Sequence, residues 1–113
     1  MTSQQAWNMI FSTLKGNRME FPTVPKTKKT PVWFSAIVDG EMILVDSAIN
    51  HRPSSNLTVP RKLKYSTFRK IYPVYLRREN GEQVSSEAGS ITVNQVYYYS
   101  LIKHLCHESE SVG

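Results

Sequence analysis

The dipeptide Asp39-Gly40 separates two largely apolar runs, Val32 to Val38 and Glu41 to Ser47, in a chain of 113 residues. A two-residue Asp-Gly connection between such runs favours a type I′ hairpin turn, because both central positions need positive φ. The spacing predicts an antiparallel hairpin with Val38 opposite Glu41, Ala36 opposite Ile43 and Phe34 opposite Val45 on one face. Ile37 with Met42, Ser35 with Leu44 and Trp33 with Asp46 take the other face. Both faces are mostly apolar, so helices are expected on one side and further structure or a partner on the other.

Helical spacing surrounds this hairpin. Thr2 precedes Gln5 by three residues, a capping-box spacing, and Trp7, Ile10, Phe11 and Leu14 follow as an apolar stripe that Gly16-Asn17 ends. Ser66 is placed to cap a second helix carrying Phe68, Ile71, Tyr72, Tyr75 and Leu76, kinked at Pro73 and closed by Asn80-Gly81. A rival hairpin about Asn80-Gly81 has fewer matching positions. Thr92 and Gln95 repeat the capping spacing before Val93, Tyr97, Leu101 and Leu105. Leu57 and Val59 offer a short edge strand, and Gln83 to Ser90 reads as a loop. Pro22, Pro25 and Pro31, with Lys26, Lys28 and Lys29 between them, read as an extended basic tether, either a solvated loop or an accessory phosphate-binding arm.

The expected architecture is α+β: an N-terminal helix, an antiparallel hairpin-based sheet and two C-terminal helices packed on one sheet face. At this length one domain over residues 1–113 is expected, with residues 107–113 as a frayed tail. The lone Cys106 excludes an internal disulfide framework and fits a cytoplasmic protein. No apolar run approaches the roughly 20 residues that span a bilayer, so no membrane attachment is expected.

The net charge of +5 favours anionic partners. It is concentrated: from Arg52 to Arg78 there are eight Lys/Arg and no Asp or Glu, interleaved with Tyr65, Phe68, Tyr72 and Tyr75. Cations attract phosphates without reading sequence, and a helix N-terminus following Arg61-Lys62-x-Lys64 adds partial positive charge. Phe68, Tyr72 and Tyr75 belong to the core stripe. The expected contact set is therefore Arg61, Lys62, Lys64, Tyr65, Arg69, Lys70, Arg77 and Arg78, with Tyr65 as the stacking residue.

This pattern points to a non-catalytic module for the DNA or RNA phosphate backbone. One alternative is a protein-interaction module, a homo-oligomer or a binder of an acidic protein, using a sheet face with Trp33, Ile37 and Leu44. Another is a small basic ribonuclease using His51 and Tyr65. No catalytic motif, metal-ligand pattern or cofactor loop is present, so no catalytic residues, metal or cofactor are assigned. His104, Cys106 and His107 lack a second ligand cluster. Tyr97, Tyr98 and Tyr99 lie about 100° apart on a helix, so at least one is expected outward, Tyr99 the best candidate.

Overall fold

The hairpin forms, but its turn lies one residue later than Asp-Gly chemistry suggests. In the computed structural model, which describes residues 1–106, Asp39 pairs with Met42 and Gly40-Glu41 make the connection. Only Gly40 takes positive φ, 65°, as a type II′ turn requires, and Asp39 is spared the left-handed region. Every cross-strand pair shifts by two, so Val38 faces Ile43 and Ala36 faces Val45. An even shift leaves each side chain on its expected face.

This hairpin, β2 (Trp33–Asp39) and β3 (Met42–Ser47), is the centre of a four-stranded antiparallel sheet. β1 (Met19–Pro22) pairs with β2, and β4 (Arg61–Leu63) pairs with β3, in the order β1-β2-β3-β4. β1 lies outside the expected elements, and the edge strand expected around Leu57 and Val59 forms at Arg61 instead. Val59 is 67% exposed, whereas Leu63 opposite Ile43 is fully buried and fixes the register.

One sheet face carries Phe21, Phe34, Ala36, Ile43, Val45 and Leu63, all buried, beneath the helices. α1 (Ser3–Leu14) begins in the expected capping box: the Gln5 amide donates to Thr2 Oγ1 at 3.1 Å and the Thr2 amide to Gln5 Oε1 at 2.8 Å. α1 contacts β2, and α4 (Gln95–Leu105) contacts β1. α2 (Tyr65–Glu79) packs across α1 and α4, with Phe68 fully buried against Trp7 and Tyr98. The α+β arrangement is thus present with its N-terminal helix, antiparallel sheet and C-terminal helices on one face.

Several boundaries differ from expectation. The cap of α2 is Lys64, not Ser66, and the helix runs through Pro73 to a C-terminus at Asn80. There the Gly81 amide bonds the Arg78 carbonyl and the Glu82 amide the Arg77 carbonyl, with Gly81 at φ 94°, which is a Schellman motif. Residues expected in a loop form a short helix, α3 (Ser85–Ile91), held by buried Val84 and Ala88. α4 starts after Asn94, and Val93 is 79% exposed, outside the expected stripe. Thr92 Oγ1 instead accepts from the Asn94 amide, capping the turn between α3 and α4. The expected frayed tail, residues 107–113, lies outside the described residues.

Candidate nucleic-acid interface

α2 has two faces of opposite character. At 100° per residue, Ser66, Arg69, Lys70, Pro73 and Leu76 fall within a sector of about 120°, and all five are exposed. Phe68, Ile71, Tyr72, Val74 and Tyr75 are buried on the opposite side. Leu76, expected on the apolar stripe, is 44% exposed, and Val74 takes a core position in its place.

The start of α2 is electrically unanswered. Lys64 supplies no side-chain acceptor to the first turn, and the first turn contains no acidic residue. The Thr67 and Phe68 amides bond the Lys64 carbonyl at 3.2 and 3.0 Å, while the preceding amides of Tyr65 and Ser66 have no acceptor among the described residues. Such amides concentrate the positive end of the helix dipole. The junction is held by Tyr98: its buried hydroxyl accepts from the Lys64 amide at 3.1 Å. Burial raises the Tyr98 pKa, partly opposed by that bond, so the phenol stays protonated.

Around this terminus stand Lys62, Lys64, Arg69 and Lys70, all exposed and none in an ion pair among the described residues. Lys62 lies opposite Leu44 on the sheet face away from the helices. Tyr65 is half-buried, its ring 6.1 Å from Trp7 and its hydroxyl 3.3 Å from Ser3 Oγ.

The other three arginines of the expected contact set hold the fold together. Arg61 lies opposite Val45, and its Nη1 donates to Asn94 Oδ1 at 2.7 Å, joining β4 to the cap of α4. Arg77 grips Glu87 with two bonds of 3.0 and 2.8 Å and Glu82 with one of 3.1 Å, tying α3 to α2. The Glu87 bonds raise the Arg77 pKa and hold Glu87 below the usual carboxylate range. Arg78 donates to the Val24 carbonyl at 2.7 Å, pairs with Glu79 at 3.3 Å and sits 4.5 Å from the Tyr99 ring centroid.

The three consecutive tyrosines are all buried, contrary to the expectation that Tyr99 faces outward. Each finds a different neighbour: Tyr97 meets Phe34 of the sheet, Tyr98 meets Phe68 near the start of α2, and Tyr99 meets Tyr75 and Arg78 near its end. A helix enclosed on three sides buries residues 100° apart.

Trp33 is also covered. The segment after β3 folds back so that His51 stacks on Trp33, centroids 3.8 Å apart and planes 10° from parallel. Its Nδ1 lies 2.7 Å from Glu20 Oε1. His51 and Tyr65, the pair a ribonuclease would use, are far apart: Tyr65 shares a recess with Gly40, at the opposite end of β2 from Trp33, roughly 20 Å away at 3.3 Å per residue.

His104 Nε2 lies 3.3 Å from the Pro22 carbonyl, and Cys106 Sγ donates to the Ala6 carbonyl at 3.4 Å. His107 lies outside the described residues, among which no group of three metal-ligating side chains converges. No helix among them is long and apolar enough to cross a membrane. Comparison with protein-family models, curated proteins and solved structures finds no match.

Proposed function

We propose that this protein is a non-catalytic module that binds the phosphate backbone of DNA or RNA through Lys62, Lys64, Arg69 and Lys70, with Tyr65 at the margin. The reading rests on one observation: the exposed stripe of α2 begins at two amides without acceptors and holds Arg69 and Lys70 a turn further on. No acidic side chain pairs with any of these four cations among the described residues. A phosphate at Ser66 would meet amide dipoles and lysines together. Such contacts position a backbone without reading bases. The cytoplasm is the compartment we assign, since the buried Cys106 thiol suits a reducing environment.

Four phosphate contacts give a slope of log affinity against log salt of about −3 on single strands and about −3.6 on duplex. Affinity should fall roughly 60- to 150-fold between 50 and 200 mM salt. Fluorescence anisotropy with a labelled oligonucleotide measures this directly. Arg69→Glu combined with Lys70→Glu should abolish binding with an unchanged circular dichroism spectrum. A flat salt response in the unsubstituted protein would sink the proposal.

A further inference from the structure

At the other end of α2, a groove of about 580 Å³ lies between its C-terminus, α3, the start of α4 and the loop 23–32. Small-molecule sites span roughly 300–1,000 Å³, mostly apolar with a few placed polar groups. This groove has both parts. Its walls include Val24, Val32, Val84, Ala88 and Val96. Tyr97 and Tyr99 also line it: their rings are buried, while their hydroxyls have no hydrogen-bond partner among the described residues and keep contact with solvent. Ser55, on the same lining, has the one side-chain polar atom among the described residues that is fully buried and unpartnered, its Oγ. The groove thus carries two hydroxyls free to donate to an occupant and one orphaned hydroxyl in its wall, the few polar groups that orient a ligand in an apolar site.

The sign of that occupant's charge follows from the rim. Lys26, Lys29 and Arg78 line the groove against a single carboxylate, Glu82, which Arg77 holds at 3.1 Å. Lys29 is exposed and has no ion pair among the described residues. Lys26 reaches Glu79 at 3.2 Å with 53% of its side chain still exposed. Arg78 is committed to Val24, Glu79 and Tyr99, which leaves the two lysines to receive a ligand.

We propose that this groove binds a small organic anion, a carboxylate or a phosphate monoester joined to an apolar ring or short chain. The apolar body lies among the valines, the tyrosine hydroxyls donate to the anionic oxygens, and Lys29 and Lys26 supply the counter-charge. The site is separate from the proposed backbone surface, because α2 has 15 residues and so spans about 22 Å.

Nuclear magnetic resonance titration of the ¹⁵N-labelled protein tests it with phenylacetate, phenyl phosphate, phenethylamine and inorganic phosphate as separate probes. Saturable shifts at Lys29, Val84, Tyr97 and Tyr99 are expected with the two aromatic anions, and the tighter of them identifies the anionic group. Phenethylamine should bind about tenfold more weakly, the equivalent of roughly 1.4 kcal/mol. Val96→Trp, at an exposed position on the groove, should block phenylacetate, and Lys29→Glu should weaken it. Arg69→Glu with Lys70→Glu should leave it unchanged, whatever that variant does to oligonucleotide binding. Absence of saturable shifts, shifts centred elsewhere, equal binding of phenethylamine, or inorganic phosphate matching phenyl phosphate would each overturn the proposal.

Discussion

Glu20 shows how a single side chain closes the sheet face that the sequence left open. Its side chain is 8% exposed. It accepts from the amides of Ile49 at 2.7 Å and Asn50 at 3.1 Å, and lies 2.7 Å from His51 Nδ1. Burial opposes ionisation, but these bonds outweigh it and hold the pKa below the usual 4.5. A carboxylate with a depressed folded pKa stabilises the fold above its unfolded value and loses that contribution as pH falls through the folded one. Glu20→Gln should therefore cost about 1–2 kcal/mol at neutral pH, since bonds to a charged acceptor are lost. The difference from the unsubstituted protein should shrink as pH falls below 4.5. Urea melts at neutral and acid pH measure both, and a pH-independent difference would show that Glu20 acts by packing alone. Nothing local in the sequence joins Glu20 to His51, because 31 positions separate them.

Secondary elements are legible in the sequence where the signal is local and hidden where packing decides. α1 announces itself through its capping box and stripe, and both are present. The hairpin is legible in its faces but not its register, because Asp-Gly satisfies a type I′ turn as readily as Gly-Glu satisfies type II′. α3 is hidden because Ser85-Ser86 and Gly89 are poor helix formers, so burial of Val84 and Ala88 and the Arg77–Glu87 contact must sustain it. β1 is hidden because four residues ending in a proline carry little pattern until β2 is beside them. The end of α2 is legible, and it depends on Gly81. With φ at 94° and no neighbouring atom within 4 Å of the place a Cβ would occupy, substitution there meets backbone strain alone. Gly81→Ala should cost about 1 kcal/mol, lowering Tm by roughly 4 °C in a chain this size. Differential scanning calorimetry measures the shift. Gly89→Ala, inside α3, should instead be neutral or stabilising, and equal destabilisation by the two would refute the assignment to Gly81's φ.

The basic middle of the chain is visible as composition, but the fold divides it in a way that composition cannot express. Arg61, Arg77 and Arg78 become struts because their acceptors, Asn94, Glu87, Glu82, Glu79 and the Val24 carbonyl, are contributed from outside the Arg52 to Arg78 run. Lys62, Lys64, Arg69 and Lys70, none in an ion pair among the described residues, lie near the start of α2, and Lys29, likewise without one, lies on the groove near its end. Arg69 and Glu79, the partner of Lys26, are ten residues apart on one helix, or about 15 Å, beyond the roughly 8 Å screening length at physiological salt. Local potential and net charge can therefore be separated. Lys28→Glu with Lys29→Glu and Arg69→Glu with Lys70→Glu each remove two charges per residue, taking the net charge from +5 to +1. If the start of α2 holds the backbone, the first pair should weaken oligonucleotide binding by no more than about tenfold, as a long-range field effect. The second should abolish it, and only the second should remove the steep salt slope. Anisotropy titrations of both variants across a salt series make the comparison. Equal losses in the two would mean that binding follows net charge, and the assignment of Arg69 and Lys70 would fall.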